Sequence, residues 1–247
     1  MKSPLRYPGG KSRAIKTIVP YFEKSDNYIF PFLGGGSIEL FMMDSTSSNI
    51  ICYDIFEPLV DFWNCLINEN DEFVRRVANL YPLSKNDFYK ISKDNSAKSK
   101  MENAVRFYVL NRCSFSGSTL SGGFSPNHPR FTEKGIDSLR QYSNIKLSVE
   151  RLSFEVSIPK NKGFMYLDPP YLLKNSFLYG NKGDTHRWFD HNLLFETAKK
   201  IDGWIMSYND CEEIRKLYCG HKIISLDWKY GMSKNKMSSE ILIFSKN

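Results

Sequence analysis

The sequence predicts an α/β fold, in which a mostly parallel sheet is covered by helices and interrupted by a helical insertion. Three observations carry this. Short apolar runs alternate with helix-like segments at both ends of the chain. Two of the runs finish on an acid, NIICYD at 49–54 and GFMYLD at 163–168. Between them, about 59–143, the strand signal gives way to helical spacing. At 247 residues the chain can bury a full core as one large domain or one domain with an insertion. We divide it into a core of 1–58 and 144–247 and an insertion of 59–143.

In order along the chain, NYIFPF (27–32) reads as a buried strand, LGGGS as a tight loop and IELFMMD as the start of a helix. NIICYD is a second strand. VDFWNCLI and EFVRRVANL space apolar residues at three and four, and MENAVRFYVLN (101–111) continues as helix. RCSFSGSTLSGGFSPNHPRF then turns to Ser, Gly and Pro, which forbids helix and predicts a loop or short hairpin near 112–126. GFMYLD, WIMSY and KIISLDW are later strands, with LLFETAKKI and CEEIRKLY as helices between them. EILIFS is the last strand; the loop KYGMSKNKMS before it allows an antiparallel final pair.

Composition bounds the function. A hydrophobic content of 41% with 15% aromatics excludes a disordered chain. No apolar run approaches a membrane span, and MKSPLRYPGG shows no signal-peptide core, so we expect no membrane partner and an intracellular setting, the cytoplasm or the DNA-containing compartment of a virus-infected host. The five cysteines form no CxxC, and with four histidines and no HExxH neither a disulfide framework nor a metal site is expected. The net charge of +7 and pI near 9.0 point to a polyanionic partner. Six basic residues fall within 1–24 against Glu23, although ordinary solvated lysine explains such a run equally well.

Three motifs carry chemistry. PFLGGGSIEL (31–40) is a glycine loop between strand and helix, where backbone N–H groups can approach a ligand closely. It is not the dinucleotide fingerprint, whose sixth position here is Glu39. Asp54 ends the following strand and can accept hydrogen bonds from ribose hydroxyls, cap the next helix, or both. PLRYPGGKSR (4–13) lacks the first glycine of a phosphate loop, which is Leu5, so triphosphate hydrolysis is disfavoured. DPPY (168–171) is the most informative. Proline cannot donate to a ladder, so the strand stops and leaves Asp168 at its end. There the Asp168 carboxylate and the Pro169 carbonyl can each accept one N–H of a planar amine, drawing its nitrogen toward tetrahedral geometry. The Pro169–Pro170 pair stiffens the segment, and Tyr171 can stack on a base. Attack on a methyl sulfonium then needs chiefly alignment and electrostatic stabilisation.

Together, RYPGGK, FPFLGGGS, the acid at 54, NRCSF, DPPY and SSEILIF resemble, in their order, the Dam-type (D12 class) DNA adenine-N6 methyltransferases with the alpha arrangement of motifs. The resemblance runs nearly end to end. It implies a Rossmann-like sheet, S-adenosylmethionine as cofactor, double-stranded DNA as partner and a flipped adenine as target. It implies cofactor contacts by Tyr7, Lys11, Phe32, Gly34, Gly36, Ser37, Asp54 and Asp168, with Asp168, Pro169, Pro170 and Tyr171 as the catalytic segment. Where the family often has Asp-Phe, this chain reads Ser153-Phe154, so Phe154 is expected to line the adenine pocket. A restriction endonuclease acting on the same site is a further implied partner; oligomeric state is left open.

Arg112, Ser116 and Ser118 of the predicted hairpin are the candidate DNA contacts. Arg112 meets phosphate or base, or pairs within the insertion. The segment is shorter than in members that read GATC, and no arginine stands near Leu120 to read guanine, so the recognition sequence is left open. In FLYGNKGDTHRWFDHNLLFE (177–196), Asp190 reads as a helix N-cap, His186 and His191 as loop and helix-surface residues, and Trp188 and Phe189 as stacking or packing residues. Two rival functions remain: methylation of another conjugated amine (adenine N6 in RNA or cytosine N4), and a DNA-binding protein with a vestigial pocket.

Overall fold

The computed structural model of the chain describes residues 1–94, 96, 98–115, 123–125, 130–172, 189–229 and 237–245. Seven strands form one sheet: β1 (Asn27–Phe30), β2 (Asn49–Asp54), β3 (Ser148–Arg151), β4 (Phe164–Leu167), β5 (Trp204–Asn209), β6 (Ile223–Lys229) and β7 (Met237–Phe244). Their order is β3-β2-β1-β4-β5-β7-β6. The first five run parallel, and β7 enters antiparallel between β5 and β6. This is the mostly parallel, Rossmann-like sheet that the resemblance implies.

The central strands are apolar throughout because both faces are covered. Tyr28, Phe30, Phe164 and Tyr166 join one apolar cluster, while Ile29, Met165 and Leu167 join a second on the opposite face. That alternation is the period of two that a pleated strand imposes. Helices α1 (Ile15–Ile18), α2 (Ser37–Ser45), α3 (Glu57–Asn68), α4 (Asn70–Ala78), α5 (Lys85–Lys93), α6 (Lys100–Cys113) and α7 (Glu133–Asp137) precede β3. The first apolar cluster takes buried residues from most of them, from Ile18 through Phe107 to Ile136, and is continuous from the sheet into residues 59–143. The second gathers α8 (Phe154–Lys160), α9 (His191–Ala198) and α10 (Glu212–Leu217).

Helix α6 is the central post of the region before β3. Ser99 and Glu102 form a reciprocal capping box at its start. Nine of its residues are buried, so it is enclosed on nearly every side. At its far end the backbone turns out into the predicted loop, whose two sides pair: Phe115 N–H donates to the Gly123 carbonyl at 2.8 Å and Ser125 N–H to Cys113 at 2.9 Å. Asn111, 1% exposed, reaches back to the N-terminal segment. Its Oδ1 accepts from Arg6 N–H at 3.0 Å and its Nδ2 donates to the Arg6 carbonyl at 2.8 Å. The segment that carries Tyr7 and Lys11 is thereby fastened to the helical region.

Three elements depart from the sequence expectation. The first strand stops at Phe30, two residues before the predicted end. Strand β3 and helix α8 were not foreseen. SVER is a short edge strand with three exposed residues and no apolar alternation, and Pro159 sits inside FEVSIPK as an apparent breaker.

Candidate active site

Ligands of open α/β sheets collect where the strand order reverses, beyond the carboxyl ends of the strands. Here that point lies between β1 and β4, and a cavity of about 350 Å³ opens there. Tyr7, Lys11, Phe32, Gly34, Gly36, Ser37, Asp54, Phe154, Asp168, Pro169, Pro170 and Tyr171 all line it. Residues from five separated stretches of sequence therefore share one space.

The glycine loop is shaped by its neighbours as much as by any ligand. A Cβ on Gly35 would lie 2.7 Å from Cβ of Tyr7, and one on Gly36 would lie 2.6 Å from the Trp63 ring. Gly36 also has φ +68°, a left-handed conformation that leads directly into α2. Trp63 Nε1 donates to the Gly34 carbonyl at 3.2 Å, so α3 props the loop from beneath. Asp54 holds it from the side. Its Oδ2 accepts from Gly34 N–H at 3.1 Å and its Oδ1 from Phe56 N–H at 3.0 Å. The acid secures the turn into α3, while Phe56 itself occupies the cap position. Burial pushes the Asp54 carboxyl up, and the N–H groups of Phe56, Gly34 and Ile55 pull it back.

Beyond β4 the charges converge. Lys11 Nζ lies 2.8 Å from Asp168 Oδ1 and 3.9 Å from Glu240 Oε2, donates to the Gly9 carbonyl at 3.0 Å, and stands 4.9 Å from the centre of the Tyr171 ring. Lys11 is only 5% exposed. The Tyr171 hydroxyl donates to Glu240 Oε2 at 2.6 Å, and its ring stacks on Tyr208. Glu240, 1% exposed, comes from β7 opposite Asn209. Burial pushes Asp168 up; the Lys11 ammonium opposes this and Glu240 reinforces it. The sequence did not foresee the ion pair between Lys11 and Asp168. It makes the lysine a partner of the DPPY acid.

An aromatic wall stands at the other side. Phe32, Phe154 and Phe189 lie in mutual contact, with centroids 5.8, 5.8 and 5.3 Å apart. Asp190 caps α9 as expected, its Oδ1 accepting from Leu193 N–H at 2.8 Å. His191 Nδ1 hydrogen-bonds to the Tyr208 hydroxyl and its ring packs on Phe189. Glu39, in the first turn of α2, also lines the cavity and is 4% exposed.

A sequence model of the D12 class N6 adenine-specific DNA methyltransferases matches residues 7–232. The chain belongs to this family. Among its relatives, the DNA adenine methylase of Escherichia coli is 24% identical over 180 residues, 68% of this chain and 64% of that protein. The DNA adenine methylase of Serratia marcescens is 26% identical over 180 residues, 68% and 66% of the two chains. Type II methyltransferase M.FokI of Planomicrobium okeanokoites is 26% identical over 216 residues, 78% of this chain and 33% of that one. The match thus spans just under two thirds of the length of the Escherichia coli protein.

Arg112 is half-buried and bonded within the fold. Its Nε and Nη2 donate to the Arg130 carbonyl at 3.0 and 2.7 Å, and Nη1 donates to the Pro4 carbonyl at 3.3 Å. These bonds tie Arg112 to Arg130 in the insertion and to Pro4 in the core. Ser116, Ser118, His186, Trp188 and most of KYGMSKNKMS lie outside the described residues. Among the described residues no group of acids, histidines and cysteines could hold a metal ion. No described helix is long and apolar enough to cross a membrane. Sequence reasoning missed Glu39, Trp63, Asn111 and Glu240. A signal existed for the two acids, each placed in an otherwise apolar run, IELFMM and EILIF. Trp63 and Asn111 read as ordinary helix residues.

Proposed function

We propose that this chain transfers a methyl group from S-adenosylmethionine to N6 of an adenine turned out of duplex DNA. The observation that supports it most is the meeting of the Asp168–Tyr171 segment and the glycine loop across one cavity, with Lys11 paired to the acid. The residues present fit the cofactor. Each Asp54 oxygen receives one backbone N–H and keeps a lone pair for a ribose hydroxyl. The Phe32–Phe154–Phe189 wall suits a purine face, and Gly34–Ser37 suits the amino-acid end. When bound, the cofactor would supply an electrophilic methyl carbon.

The chain's own part is positioning. Asp168 and the Pro169 carbonyl accept the two N–H groups of the target amine and turn its lone pair toward the methyl carbon. Lys11 favours the ionised form of Asp168 against the cost of burial, so the acid can serve as an acceptor. Glu240 holds the Tyr171 hydroxyl and so fixes the orientation of the DPPY segment. Extruding the base costs roughly a few kcal/mol, offset by stacking and phosphate contacts.

The test is incubation of plasmid DNA with the protein and S-adenosylmethionine, followed by mapping of modified adenines. We expect N6-methyladenine in a defined sequence context. Asp168→Ala is expected to keep DNA binding and lose about a hundredfold or more in methyl transfer. Normal turnover by that variant would remove the proposed role. Methylated RNA or N4-methylcytosine would select a rival amine. Relatives named Type II methyltransferase and Modification methylase support a modification role, which implies a cognate endonuclease and an intracellular setting.

A further inference from the structure

The cavity is acidic in a basic protein. Glu39, Asp54, Glu155, Asp168 and Asp190 line it, and among the described lining residues Lys11 is the cation, although the chain carries a formal +7. Asp54 holds the glycine loop, Asp190 caps a helix, Asp168 pairs with Lys11, and Glu155 is exposed. Glu39 meets the N–H groups of Ile38 and of its own residue in the first turn of α2, and it is almost wholly buried on the cavity wall.

We infer that Glu39 is a specificity-determining residue, whose carboxylate makes the cavity prefer the cationic sulfonium donor over the neutral thioether left after transfer. This rests on the methyl-transfer reading above. In that reaction the N6–C bond forms as the C–S bond breaks, the electron pair stays on sulfur, and a proton leaves the nitrogen for water. The donor carries a net +1 and the product none, and the difference is the sulfonium alone, because both keep the same ammonium and carboxylate. In a low-dielectric cavity a carboxylate distinguishes the two far better than water would.

The groups around Glu39 make it responsive. Lys11 faces it from the N-terminal segment, Asp168 from the end of β4, Tyr166 from β4 and Cys52 from β2; Glu240 of β7 joins through Lys11. Burial pushes Glu39 up to about 8, Asp168 adds to this, and the N–H groups of Glu39 and Ile38 and the Lys11 ammonium oppose it. The carboxyl is therefore largely protonated near neutrality when no cationic ligand is bound, and ionises as pH rises or as such a ligand enters. Preference for the donor should grow with pH.

Calorimetric titration of S-adenosylmethionine and S-adenosylhomocysteine between about pH 6.5 and 8.5 tests this, with wild type and Glu39→Gln compared. The wild-type affinity ratio is expected to rise with pH. Glu39→Gln is expected to hold a flat ratio, lower by about fivefold at the alkaline end, with S-adenosylhomocysteine affinity nearly unchanged. A wild-type ratio independent of pH overturns the inference without any variant. So does a variant that weakens both ligands equally, which is the mark of a packing role. Wild type that binds neither ligand overturns the methyl-transfer reading itself.

Discussion

Lys11, from the N-terminal segment, sits between two acids from the last third of the sequence, Asp168 and Glu240, and lies closer to Asp168. Burial raises that carboxyl and the ammonium lowers it. Lys11→Met removes the opposing influence, so the pKa of Asp168 rises further and the acid stays protonated to higher pH. The acid limb of the pH–rate profile is expected to move upward, with about tenfold or more lost near neutrality and partial recovery in alkali. An unmoved limb would show that the lysine serves some other purpose. Glu240, holding the tyrosine of the same segment, completes the network without itself facing the cavity.

At the scale of elements, the passage from β1 through the glycine loop into α2 is the most constrained turn in the fold. Gly36→Ala puts a methyl group 2.6 Å from Trp63 at a φ of +68°, and the indole is fully buried. We expect a loss of about 2–3 kcal/mol, seen as a lower melting temperature. Adding Trp63→Leu should restore the steric part and leave the backbone part. These elements also show what the sequence made legible. β1, β2, β4, β5 and β7 could be read because two-sided burial leaves apolar runs. The edge strand β3 could not, since solvent on one side erases the pattern. Likewise the DPPY segment, the glycine loop and Asp54 are local motifs. Glu39, Glu240 and Trp63 become site residues only through the register and packing that bring distant segments together.

On the scale of the whole molecule, the helical region and the candidate active-site cavity are joined through the N-terminal segment. Asn111 clamps Arg6, Arg112 holds Pro4, and the Tyr142 hydroxyl donates to the Lys2 carbonyl. Five residues after that clamp stands Lys11. Asn111→Ala removes two bonds to the half-buried Arg6 backbone and should cost about 1–2 kcal/mol. It should also lower methyl transfer beyond what the lost stability explains, because Lys11 loses its anchor. Activity measured well below the melting temperature checks this; full activity there would uncouple the two regions. The order of assembly has a consequence during synthesis. Lys11 and Asp168 have left the ribosome long before Glu240, and β6, which pairs with β7 alone, joins the sheet only together with the strand that brings Glu240. A nascent chain therefore lacks the acid that holds Tyr171 until β7 has emerged, so the DPPY segment is the last part of the cavity to be fixed in place.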